Sequence, residues 1–111
     1  MLERVVINLV GNAVKFTPAQ GRVTVSLVAE PDTAVISVAD TGIGIPLAEQ
    51  DRLFSRFFRS SLAQEQAIPG SGLGLSIAHG FVEKHGGEMS VESEPGEGTT
   101  FHIRLPLLTR V

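Results

Sequence analysis

Apolar residues recur at helical spacing from the start of the chain. Leu2, Val5, Val6, Leu9, Val10 and Ala13 fall three and four apart, which predicts one buried helix face. Thr17-Pro18 should stop that helix near Phe16, because the residue before a proline is pushed out of the helical region. The period then shortens to two. Val23, Val25 and Leu27 alternate with Arg22, Thr24 and Ser26, the pattern of a half-buried strand. Pro31-Asp32 makes a turn and residues 34–39 a second strand, so the two read as an antiparallel hairpin.

Pro46 suits the first turn of a short helix running to about Leu53. Residues 60–72 are rich in Ser, Gln and Gly without a period and read as a mobile loop. Leu73, Leu75, Ile77, Ala78, Phe81 and Val82 return to helical spacing, and Gly86-Gly87 after His85 supplies a left-handed cap. Met89, Val91 and Ser93 begin a strand that turns at residues 95–98 and comes back through Phe101, Ile103 and Leu105 to Pro106. Three helices and four strands in two hairpins are packed most economically as helices on one face of a mixed sheet.

Composition narrows the function. A chain of 111 residues suffices for one domain with its own core. A net charge of −3 with scattered charges leaves no basic footprint for nucleic acid. Cysteine is absent, which removes disulfides, thiolate chemistry and Cys-type zinc sites. No apolar run approaches the ~20 residues of a membrane span, and no signal peptide opens the chain, so no direct membrane contact is expected. Any ring stacking falls to the six Phe, since Trp and Tyr are both absent.

Two glycine-rich loops carry the chemistry: Asp40-Thr-Gly-Ile-Gly-Ile-Pro46 and Gly70-Ser-Gly-Leu-Gly-Leu-Ser-Ile77. With Asn8-Leu-Val-Gly-Asn12 they suggest a nucleotide pocket assembled from three parts of the chain. Gly70, Gly72 and Gly74 lead into a helix N-terminus, where free N–H groups favour phosphate. Leu75 stands where a dinucleotide fingerprint needs its third glycine, and no Gly-Lys-Ser/Thr marks a Walker loop. Asn8 and Asn12 share a helix face, either as surface asparagines or as the lining of a polar pocket. An ionised Asp40 accepts hydrogen bonds only, so it would pair with an amino group. An ordinary turn would account for Asp40-Thr-Gly alone but poorly for the full Asp-x-Gly-x-Gly run, and an aspartic protease would need a second copy. His79, His85 and His102 lack the surroundings of a phosphoacceptor and read as structural or solvated.

Taken together, these segments resemble the catalytic ATP-binding domain of a two-component sensor histidine kinase, in the wider family of Hsp90, gyrase and MutL. The likeness rests on Asn8 to Pro18, Asp40 to Gly44, Leu53-Phe-Ser-Arg-Phe-Phe-Arg59 and Gly70 to Leu75, in that order. It implies the Bergerat fold: an α/β (α+β) two-layer sandwich with a mixed, mostly antiparallel sheet and helices on one face. Since the chain starts inside a helix pattern, it also implies that residues 1–111 are a single domain lacking its first strand.

By the same resemblance Asn12 is the magnesium ligand, and Asn8, Asn12 and Lys15 are the catalytic set around the phosphates. The adenine and phosphate contacts fall to Phe16, Asp40, Gly42, Gly44, Ile45, Arg59, Gly70, Ser71, Gly72, Leu73, Gly74 and Leu75. A lid spans about 60–72, and Phe54, Phe57 and Phe58 with Arg56 and Arg59 form a Phe-rich box beside it. Hydrolysing relatives carry a Glu where this chain has Asn8, which turns the expectation from hydrolysis to transfer. The expected cofactors are ATP and Mg²⁺. The expected acceptor is a histidine on a dimerisation domain of the same parent, with a response regulator downstream, in the cytoplasmic part of a bacterial sensor. A serine kinase of the anti-sigma-factor type and a non-catalytic nucleotide-binding module are the alternatives.

Overall fold

The computed structural model describes residues 2–54 and 74–106. Helix α1, Leu2–Phe16, buries Val5, Leu9 and Ala13 and places Glu3 in its first turn and Lys15 in its last, charges that suit the two ends of the helix dipole. It ends as the sequence requires. The Thr17 hydroxyl donates to the Ala13 carbonyl at 2.6 Å, satisfying one of the carbonyls a helix C-terminus leaves open.

Strands β1, Val23–Ala29, and β2, Thr33–Asp40, form the first hairpin, and β3, Glu88–Glu94, and β4, Gly98–Pro106, form the second. The sheet order is β1-β2-β4-β3, so the last strand lies between the two hairpins' partners and joins them along β2–β4. All three pairings among the described residues are antiparallel, the dominant sense of the expected sheet. Helix α2, Gly74–Lys84, is capped where Gly86 takes a φ of 75° and the Gly87 amide reaches back to the Val82 carbonyl at 3.0 Å. That is the Schellman arrangement expected of the paired glycines.

Both helices cover one face of the sheet. Val5, Leu9 and Ala13 from α1, and Ala78 and Val82 from α2, meet Val38, Phe101 and Ile103 from the two inner strands in one buried cluster. Strand alternation sorts the rest: Thr99, Phe101 and Ile103 are buried, while Arg104 is exposed. The half-buried reading of β1 needs correction. Val25 stands opposite buried Val38, yet it is 50% exposed and Leu27 67%. Alternation gives these residues the right side, but β1 is an edge strand and among the described residues only Val23 is partly covered.

The uncovered face carries a cross-strand tie. The His102 ring lies 2.7 Å from the Ser37 hydroxyl and 2.7 Å from a Glu92 carboxylate oxygen. The order is that of a serine relay. However, Ser37 and His102 sit on inner strands whose backbone groups are committed to ladders on both sides, leaving no donor for an oxyanion. Of the structural or solvated roles expected of His102, these two contacts fit the structural one.

Candidate functional site

The site forms where the end of α1, the loop after β2 and the start of β4 converge. Asp40 is the last residue of β2. Its Oδ1 accepts the Gly42 amide at 2.8 Å and the Thr99 amide at 3.2 Å. No side-chain polar atom among the described residues is buried without a partner, so Oδ2, which takes neither bond, remains accessible. Burial pushes the Asp40 carboxyl above its usual range, and the two amides pull against that shift. An acceptor-only oxygen is thereby held by backbone and aimed by it.

Close backbone approach explains the glycines. A Cβ on Gly42 would collide with the Phe16 carbonyl, and one on Gly44, at a φ of 75°, with the Glu94 carbonyl. The Ile43 amide donates to the Phe16 carbonyl at 3.2 Å, and the Ile43 carbonyl accepts from Gly96 at 2.8 Å. Thus the loop is sewn to α1 on one side and to the β3–β4 hairpin on the other. Gln50, in the 3-10 helix Leu47–Arg52 that follows Pro46, adds two bonds of 3.0 Å, to the Ile45 and Ser93 carbonyls.

These elements line a small pocket of about 60 Å³. Asn12, Phe16, Asp40, Gly44, Ile45 and Leu75, all expected at the site, line it. Gly42 is buried beneath the loop rather than on the wall. Asn8 is partly buried and Lys15 exposed, and neither lines the cavity. Gly74 is the first residue of α2. Arg56, Phe57, Phe58, Arg59, Gly70, Ser71, Gly72, Leu73 and the lid at 60–72 lie outside the described residues.

Sequence reading missed Ala13, Ile43, Leu53, Thr99 and Phe101 as wall residues. Thr99 carried a signal. It falls on the inward phase of β4 with Phe101 and Ile103, and a polar residue there needs a reason. Phe54, of the Phe-rich box, is stacked on His79 with ring centroids 4.6 Å apart and planes 6° apart. It also meets Phe101 at 6.4 Å, so it backs the cavity wall rather than forming it.

Magnesium fits this donor set in one way. Among the described residues no three His, Asp or Glu side chains converge on a metal cage. Asn12, whose side chain carries an amide oxygen, is among the residues that line the cavity. A single protein oxygen suits an ion that keeps its waters and binds through substrate phosphates.

A family model described as histidine kinase-, DNA gyrase B- and HSP90-like ATPase matches residues 1–109. The sensor histidine kinase RppB of Synechocystis is 43% identical over 108 residues, 97% of this chain and 24% of that protein. The histidine protein kinase DivJ of Caulobacter vibrioides is 47% identical over 107 residues, 96% of this chain and 18% of that protein. The chain therefore spans a quarter or less of these curated relatives' length. Among solved structures, the mycobacterial sensor histidine kinase MprB matches with a TM-score of 0.80 and 41% identity, over 93% of this chain and 70% of that one. Full-length ShkA in complex with AMPPNP matches with a TM-score of 0.82 and 34% identity, over 98% of this chain and 22% of that one. With the fold, the Asp40 loop and these likenesses in agreement, the chain belongs to the histidine kinase-, DNA gyrase B- and HSP90-like ATPase family, as a catalytic domain of the histidine-kinase type.

Proposed function

We propose that this domain binds Mg-ATP and donates the γ-phosphoryl group to a histidine on a separate dimerisation domain, in two-component signalling. The observation that carries the reading is Asp40. One carboxylate oxygen is committed to two backbone amides. The other is left for the amino group of adenine, in a cavity walled by Phe16, Ile45, Leu53, Leu75 and Phe101. The apolar walls take the faces of the purine, and the carboxylate reads its edge.

Asn12 would hold magnesium through its amide oxygen, and Lys15, in the last turn of α1, would reach the phosphates. Magnesium, when bound, supplies charge neutralisation at the transferring phosphoryl group. The chain's own part is to position the nucleotide and to withhold a base. Asn8 lies a turn before Asn12, and a neutral amide takes up no proton at neutral pH. Water is therefore not activated from this side, and the base for transfer belongs to the acceptor domain. A response regulator would take the phosphoryl group next.

Two outcomes test this. Titration with a non-hydrolysable ATP analogue should show tighter binding with Mg²⁺ than without. Asn12→Ala should erase that increment, at least ~tenfold, the lower end of what disturbing a metal's outer partners costs. Binding indifferent to Mg²⁺ would remove Asn12 from the role. Secondly, the isolated chain given γ-labelled ATP should stay unlabelled. His79 is stacked on Phe54, His85 hydrogen-bonds the Phe81 carbonyl at 2.9 Å and His102 is tied to Ser37. Label retained on any of the three histidines would overturn the need for a separate acceptor.

A further inference from the structure

We propose that Ser93 is a positioning residue that sets nucleotide selectivity through the hydroxyl of Thr99. The inference rests on the adenine reading of the Asp40 cavity. Ser93 lies on β3, outside the cavity wall, and its hydroxyl has three partners. It accepts from the Ile45 amide at 2.8 Å, donates to the Gly98 carbonyl at 2.9 Å and lies 2.7 Å from the Thr99 hydroxyl.

A hydroxyl has one hydrogen. A carbonyl cannot donate, so the hydrogen of Ser93 belongs to Gly98. The contact with Thr99 must then be made by the hydrogen of Thr99. That hydrogen is thereby turned toward Ser93 and away from the base. Thr99 is 7% exposed and lines the cavity beside Asp40, and its amide donates to the same carboxylate. At this corner of the wall the Asp40 carboxylate and the Thr99 hydroxyl are then left with acceptors and no free side-chain hydrogen.

A base with an amino group at position 6 is matched by such a wall. A base with a carbonyl there finds no donor, and its oxygen is buried without a partner. Removing the Ser93 oxygen releases the Thr99 hydrogen to rotate and meet that carbonyl. The loop backbone is still held at the Ile45 and Ser93 carbonyls by Gln50. Selectivity should therefore change more than the fold does.

The test compares non-hydrolysable analogues of ATP and of inosine triphosphate, which carry an amino group and a carbonyl at position 6, the latter with a hydrogen on N1. Wild type should prefer ATP. In Ser93→Ala that preference should fall ~tenfold, the scale of one buried unpaired acceptor regained. Ser93→Thr keeps the hydroxyl and should keep the preference. Ser93→Cys, a weaker partner of similar size, should shift the ratio in the same direction by less, and it serves if the alanine variant does not fold. In a Thr99→Val background Ser93→Ala should change the ratio no further, because the hydroxyl through which it acts is gone. If wild type prefers ATP and neither the alanine nor the cysteine variant shifts the ratio, the inference fails alone. If wild type binds neither analogue, the adenine reading fails and takes the inference with it.

Discussion

Asp40→Asn is expected to fold as well as wild type and to bind ATP about thirtyfold more weakly, roughly 2 kcal/mol. Asparagine keeps a carbonyl oxygen where Oδ1 accepts the Gly42 and Thr99 amides, so the loop keeps its anchor. What it loses is the charge and the second acceptor, replaced by an NH₂ group that faces the adenine amino group donor to donor. The stability side follows from the raised carboxyl. Between the ordinary and the raised value, the native state holds a proton that the unfolded chain has released. Stability therefore falls as pH rises through that window, and the charged form stays less favoured above it. The variant has no such penalty. Its melting temperature at neutral pH should equal or exceed that of wild type while calorimetric ATP binding collapses. A variant that melts much lower, or that binds ATP as before, would remove Asp40 from base recognition.

The second large effect falls on backbone. Gly44→Ala should lower stability by about 3 kcal/mol or more, combining a left-handed residue at ~1–2 kcal/mol with overpacking at ~1–3 kcal/mol. Both costs arise at one atom, since a Cβ at a φ of 75° would collide with the Glu94 carbonyl. The melting point should drop by at least ~10 °C, given ~4–8 °C per kcal/mol for a domain near this size. Gly80→Ala is the control. It lies within α2, where a Cβ meets nothing within 4 Å, and should be neutral or stabilising by ~0.5–1 kcal/mol. Equal melting points for the two variants would mean that the loop is not held against the β3–β4 hairpin as the structure has it.

How far the sequence could be read depended on whether the cause was local. The end of α1 at Thr17-Pro18, the Gly86 cap and both hairpin turns are short-range events, and each stands where local chemistry puts it. The Asp40 loop was legible because its residues are consecutive and unusual. Thr99 was harder: a threonine in a strand looks solvated until the period-two count puts it inward beside Phe101. The exposure of Val25 and Leu27 was out of reach, because alternation says which side a residue faces and not what covers it. Asn8 shares a helix face with Asn12, but it sits ~6 Å further along the axis at 1.5 Å per residue. The cavity meets only the last turns of α1. The β2 neighbour of β4 was invisible for a similar reason, since that pairing is set by partners such as Ser37 and His102, 65 residues apart.

That late pairing has a kinetic consequence. Each hairpin can close early, its strands being neighbours in the chain, whereas the seam between β2 and β4 closes a long loop and bears most of the loop entropy. Asp40 and Thr99 are register partners on that seam, one from each hairpin. A pocket on that seam should therefore form after the hairpins and open when they part. A ligand bridging them acts as a latch on that opening. Amide exchange should slow on nucleotide binding along β2 and β4 more than along β1, the strand that opening leaves paired.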